Sequence, residues 1–187
     1  MRDSSVGIRA RGGRRGYTLV EILVVVVVLG IAGSLVVPTM GQAGVLRSQA
    51  GVRTVVSDIT FAQSDAIAAQ ERRAVLFDVP GNRYWIVTTD GGILDPINAI
   101  YDPFRAGRVY EVRLNDGNFG GTRIESVVGG TNTPFAIVFD EFGAPVDGPA
   151  STAPIPSATV LIDSEMNTYN ITVNGMTGLI QTVRTDK

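Results

Sequence analysis

Residues 17–40 read YTLVEILVVVVVLGIAGSLVVPTM, 24 positions with a single charge, Glu21. A run this apolar and this long has to leave water. As a helix it extends about 36 Å at about 1.5 Å per residue, enough for a hydrocarbon core of roughly 30 Å. The flanks orient it. Five arginines, Arg2, Arg9, Arg11, Arg14 and Arg15, stand before it against one Asp3, and the next basic residues are Arg47 and Arg53. The positive-inside rule then predicts a single pass with the N-terminus in the cytoplasm and the rest of the chain outside it. Residues 17–187 are acidic, with 11 basic against 17 acidic side chains.

The 187 residues include no His and no Cys. Ser-His-Asp and Cys-His catalysis, disulfide scaffolds and ordinary zinc sites therefore fall together. Neither Gly120-Gly121 nor Gly129-Gly130 precedes a helix with Lys-Ser/Thr, so a phosphate loop is not expected. Carboxylates near 90–95 and at Asp140, Glu141 and Asp147 suit a hard cation in type, but their spacing matches no calcium loop, and Asp and Gly are ordinary turn residues. No catalytic, metal or cofactor site is expected, and the chain does not read as an enzyme.

A basic start before an apolar run fits three targeting signals. A secretory signal peptide wants a small-x-small cut after the run, for which the chain offers Gly41-Gln42-Ala43. Arg14-Arg15-Gly16-Tyr17 is similar to a twin-arginine signal. Glu21, a charge at the head of the run, is foreign to both. An intramembrane carboxylate is costly and reads by default as functional, with an edge charge snorkelling to the interface as the alternative. The third reading uses it. Arg14-Arg15-Gly16-Tyr17-Thr18-Leu19-Val20-Glu21 resembles the type IV prepilin signature: basic leader, Gly, aromatic, Thr-Leu-x-Glu, apolar helix.

The resemblance implies cleavage between Gly16 and Tyr17 by a prepilin peptidase/methyltransferase, N-methylation of Tyr17, an assembly role for Glu21 and a helix kink at Pro38. The residues suit those roles physically. Glycine offers a peptidase unobstructed backbone and interrupts a helix at the membrane edge. Cutting there creates an α-ammonium on Tyr17, which Glu21 of a neighbouring subunit can neutralise, removing two charges costly in an apolar interior.

Beyond the run, Val45, Val52, Val55, Val56, Ile59, Ala62, Ala66 and Ala69 recur at helical spacing, with Arg53, Ser57, Asp58, Ser64, Asp65 and Glu71 mostly between them. This predicts a leader at 1–16, a transmembrane and filament-core helix at 17–40, an amphipathic continuation at 41–73 and a periplasmic β domain at 74–187. Within the last part, 74–79 and 84–89 flank Pro80-Gly81-Asn82, read as a type II hairpin turn. Tyr110, Val112 and Leu114, then Phe135, Ile137 and Phe139, then Tyr169, Ile171 and Val173 each repeat at period two, and Gly175 to Gly178 turns into a last strand at 179–183. Tyr84 and Trp85 read as sheet core. These patterns give about seven antiparallel strands, with long loops at 90–107 and 143–157.

Phe61-Ala62-Gln63-Ser64-Asp65-Ala66-Ile67, the hairpin holding Trp85, Phe139-Asp140-Glu141-Phe142-Gly143 and the final pair of strands resemble the H-type minor pseudopilins of type II secretion and the similar FimT-type minor pilins. The fold expected is α+β and pilin-like, a long N-terminal helix packed on antiparallel β-sheet. The function implied is a pseudopilus subunit helping folded proteins cross the outer membrane, the alternative being a minor type IV pilin in pilus assembly or DNA uptake. Implied partners are other pseudopilins or pilins through the N-terminal helix, the peptidase, the inner membrane and secreted proteins. An acidic body with only Arg184 and Lys187 near its end argues against nucleic acid.

Overall fold

The computed structural model describes residues 16–187 apart from 120, 132 and 134, and the side chains of 35–43 are also outside the described set. The leader arginines, Gly120 and the side chain of Pro38 thus lie outside the described residues. Helix α1 (Leu19–Ala69) is followed by β1 (Arg73–Asp78), β2 (Arg83–Thr88), β3 (Glu111–Arg113), β4 (Arg123–Val128), β5 (Ala136–Phe139), β6 (Pro145–Val146), β7 (Ser157–Asp163), β8 (Asn167–Asn174) and β9 (Ile180–Asp186). The chain divides into two compact units, Met1–Gly41 and Gln42–Lys187.

In the second unit α1 stops at Ala69, four residues before the end that the sequence pattern suggests. Gln70 takes a left-handed φ of 52°, the Glu71 N–H donates to the Ala66 carbonyl and the Gln70 N–H to the Ile67 carbonyl. This is a Schellman ending, which satisfies carbonyls that the helix leaves orphaned. It uses Gln where Gly is usual, so composition does not signal it. Arg73 is thereby free to open β1, where its buried guanidinium meets Asp65 at 2.6 Å and Glu71 at 3.0 Å.

All strand pairs are antiparallel, in two sheets ordered β3-β2-β1-β5-β6 and β4-β7-β8-β9. Alternation assigns the faces. From α1, Val52, Val55, Ile59, Ala62 and Ala66 meet Val75, Phe77, Tyr84, Ile86, Ile137 and Phe139 of the first sheet and Ile124, Val160, Ile162, Tyr169, Ile171 and Val173 of the second in one apolar core. The opposite face of the first sheet is covered too. Ala74, Trp85, Val87, Val138 and Val146 form a smaller cluster there, closed by Leu94 and Ala99.

That cover corrects the reading of 90–107 and 143–157 as plain loops. The first holds two 3₁₀ turns and bridges Val87 to Ala99, and the second contains β6 and bridges Val146 to Pro154. The β1–β2 turn is corrected as well. The Asn82 N–H donates to the Val79 carbonyl at 3.2 Å, but the left-handed residue is Asn82 at φ 51° rather than Gly81, so the turn is type I and not type II. Gly81 is required for another reason: its N–H donates to Asp78 Oδ1 at 3.0 Å, and a Cβ there would collide with the same carboxylate.

Candidate functional site

In the first unit Gly16, Tyr17 and Thr18 belong to no regular element, and the chain is helical from Leu19. Thr18 caps the helix. Its Oγ1 accepts the Glu21 N–H at 3.2 Å and its carbonyl accepts the Ile22 N–H at 3.2 Å. Thr18-Leu19-Val20-Glu21 is therefore also a Ser/Thr-x-x-Glu helix start, with a carboxylate in the first turn where the positive end of the helix dipole favours it. Gly16 and Tyr17 are exposed, and nothing lies within 4 Å of where a Gly16 Cβ would stand. One short segment thus brings together an open glycine, an accessible aromatic and a capped helix carrying Glu21.

From Leu19 onward the helix is an apolar cylinder without cover. Its large side chains as far as Ile31 are exposed by between 49% at Val25 and 82% at Leu19. Burial of such side chains is worth about 1.5–3 kcal/mol each, so the segment requires an apolar environment from outside the chain. Among the described residues no helix is long and apolar enough to cross a membrane. The side chains of 35–43 lie outside the described set, and the apolar run continues in sequence to Met40.

The second unit contains a polar cluster that the sequence pattern does not reveal. Asp58, placed by its charge on the solvent side of α1, is only 7% exposed. Its Oδ2 accepts the Tyr84 hydroxyl at 2.5 Å and its Oδ1 accepts the Tyr110 hydroxyl at 2.9 Å. Its spacing is the available signal, since residue 58 stands three after Val55 and four before Ala62, on the buried stripe. Burial pushes the Asp58 carboxyl above the ordinary carboxylate range against the pull of the two hydroxyls. Desolvation and the neighbouring carboxylate raise both tyrosines. Both hydroxyls are spent on Asp58 and neither is poised to ionise, so the cluster works as a clamp between helix and sheet. Asp58 and Tyr110 line a cleft of about 690 Å³ with Asp102, Arg105 and Phe119.

Three of the carboxylates considered for a cation have local tasks. Asp95 accepts the Ile97 N–H at 2.8 Å, Asp140 accepts the Phe142 and Ala144 N–H groups at 3.0 and 2.8 Å, and Glu141 lies 3.6 Å from Arg72. Among the described residues no three His, Cys, Asp or Glu side chains converge as a metal site. Tyr84 and Trp85 lie in core on opposite faces of the first sheet.

Comparison with known proteins fits this geometry. Residues 11–37 match the prokaryotic N-terminal methylation motif. Over 55 residues the chain is 47% identical to type II secretion system core protein G of Klebsiella michiganensis, a stretch covering 29% of this chain. The chain spans about a third of that curated relative's length, 36%. The minor pseudopilin EpsH from the type 2 secretion system of Vibrio cholerae superimposes with a TM-score of 0.50 at 12% identity, covering 73% of this chain and 96% of that one. The type IV minor pilin FimU of Pseudomonas aeruginosa gives a TM-score of 0.44 at 16% identity, covering 73% and 87%. The chain carries a prepilin N-terminal methylation motif at the head of a pilin-like fold, a helix packed on two antiparallel sheets.

Proposed function

We propose that this protein is a minor pseudopilin, a structural subunit of a type II secretion pseudopilus that helps folded proteins across the outer membrane. In this reading the chain resides in the inner membrane as a single-pass protein, N-terminus cytoplasmic and body periplasmic, until it enters the filament. The peptidase cuts after Gly16, Tyr17 becomes the methylated N-terminus, and the apolar part of α1 exchanges lipid for neighbouring helices. Glu21 meets the ammonium of an adjacent subunit. The observation that carries the reading is the uncovered apolar helix of the matched motif, with Thr18 capping its start, Glu21 in its first turn and Gly16 exposed just before it. The body likeness to EpsH supports the secretion assignment at the level of fold.

The test is mass spectrometry of the membrane-extracted protein, joined to crosslinking of the Glu21→Ala variant. The expected chain starts at methylated Tyr17, and Gly16→Val retains the leader. A mature start near Gly44 would establish a signal peptidase and end the reading. Glu21→Ala is expected to be inserted and cleaved yet to lose crosslinks to other pseudopilins, because an unpaired buried ammonium costs about 3–5 kcal/mol. Unchanged crosslinking with unchanged secretion would reduce Glu21 to a tolerated edge charge.

A further inference from the structure

The second sheet ends in two unlike edges. At β4 the register slips between Ile124 and Ser126, an irregularity that bends an edge away from pairing. β9 instead pairs with β8 without a break from Asp186 to Ile180, contains no proline, and has no strand or bridge on its outer side among the described residues. Residues 181–186 are exposed, with Val183 at 61%. Such an edge presents a row of unpaired N–H and C=O groups, which proteins ordinarily blunt.

Beside this edge runs a groove of about 500 Å³ between α1 and the second sheet. Val52 and Val56 form its apolar wall, Thr182 and Arg184 rise from β9, Arg53 comes from α1, and Tyr169 lies beneath. Two polar groups at the groove have no partner among the described residues. The Tyr169 side chain is 4% exposed and its buried hydroxyl has no hydrogen-bond partner, which leaves a polar group desolvated without compensation. Arg53 makes no ion pair or hydrogen bond among the described residues, and no acidic side chain lines the groove. Arg184 pairs with Asp186 at 2.6 Å and donates to Asn167 at 3.1 Å, but that ion pair is exposed at both ends and exchanges at little cost.

We propose that this groove takes an extended, acidic segment of another protein, which adds to the second sheet as a fifth strand along β9. Main-chain hydrogen bonds to the β9 edge supply the affinity. Side chains alternate, so every second residue of the incoming strand faces the groove, where a carboxylate meets Arg53 and Arg184. The inference does not depend on the filament reading, because it concerns only the second unit and its exposed edge.

The full chain in detergent, titrated with a short fluorescein-labelled peptide of alternating Val and Glu, tests it by fluorescence anisotropy. Saturable binding is expected. It should weaken about tenfold or more when Lys replaces Glu in the peptide, and the preference should vanish in Arg53→Glu, which leaves the groove one cation and one anion. A peptide N-methylated at every backbone nitrogen keeps its side chains but cannot donate along either edge, and it should not bind. Equal binding of the methylated peptide would overturn strand addition, and equal binding of the Lys peptide would overturn the charge assignment. Absence of binding to a chain whose circular dichroism shows it folded would overturn the whole. The natural chain lacks cysteine, so a Val183→Cys variant reports β9 alone. A symmetric disulfide dimer with no peptide binding would assign the edge to a second copy of this chain instead.

Discussion

Asp58 is the residue at which charge and burial are most at odds. Two tyrosine hydroxyls hold its carboxylate, and a hydrogen bond to a charged group contributes about 1.5–3 kcal/mol. Asp58→Ala strands both hydroxyls in the core and is expected to cost about 2–4 kcal/mol in urea unfolding. Asp58→Asn keeps one acceptor and gains a donor for the second tyrosine, and should fall within about 1 kcal/mol of wild type at neutral pH. The pH dependence separates them further. The folded-state pKa is raised, so the native chain holds this proton more tightly than the unfolded one. Its contribution is fully present below the ordinary carboxylate value, about pH 4, and is lost as pH rises through the folded value. The stability difference between wild type and Asp58→Asn should therefore move against wild type as pH rises from about 4, and a flat difference would disprove the raised pKa. Legibility at this scale depends on identity more than position. Val55, Ile59 and Tyr84 are readable as core because apolar bulk at the right period has one destination. Asp58 sits on the same stripe but reads outward, because its partners Tyr84 and Tyr110 lie 26 and 52 residues away.

Among the elements, the β1–β2 turn contributes more than a reversal of the chain. Asn82 is buried in a left-handed conformation, and its side-chain amide donates to Asn115 Oδ1 at 2.6 Å and to the Thr122 carbonyl at 2.9 Å. Its Oδ1 accepts the Ile124 N–H at 2.9 Å, so one side chain joins the first sheet's hairpin to β4 of the second. Asn82→Ala loses these bonds and also strains the backbone, for an expected loss of about 3–5 kcal/mol in chemical denaturation. Asn82→Gly loses the same bonds without the strain and should recover about 1 kcal/mol of that. Equal losses would show that the conformation costs nothing and that the side chain alone matters. The Pro80-Gly81 pair makes the turn visible from composition. Its type depends on the Asp78 carboxylate and the distant β4 backbone, neither of which local propensity registers. The same limit applies to the end of α1, where a Schellman motif closes on Gln70, and to 90–107, whose Leu94 and Ala99 have a destination only once the outer face of the first sheet exists. Regular alternation carries further, and Tyr169, Ile171 and Val173 all lie in the core as their period indicates.

The whole molecule joins a helix segment that needs cover to a body that has its own. Every α1 residue in the main core, from Val52 to Ala66, belongs to the second unit, as do both sheets. A chain of residues 46–187 therefore retains the complete core, the Asp58 clamp and the Asn82 bridge, and at 142 residues it is long enough to bury a sizeable core. It is expected to be folded, with mixed helix and strand in circular dichroism, and to sediment as a monomer without detergent. Starting at residue 74 removes Val52, Val55, Ile59, Ala62 and Ala66 from between the sheets and leaves the Tyr84 and Tyr110 hydroxyls without their acceptor. Losing even one large buried aliphatic side chain typically costs about 2–5 kcal/mol, against a total stability of about 5–15 kcal/mol for a whole domain. The shorter chain should consequently aggregate, since the faces of both sheets that α1 covers would meet solvent. A soluble, folded 74–187 would show that the sheets close on each other without α1. A 46–187 chain that is mostly coil would show instead that the apolar segment before it takes part in folding the body and does more than anchor it.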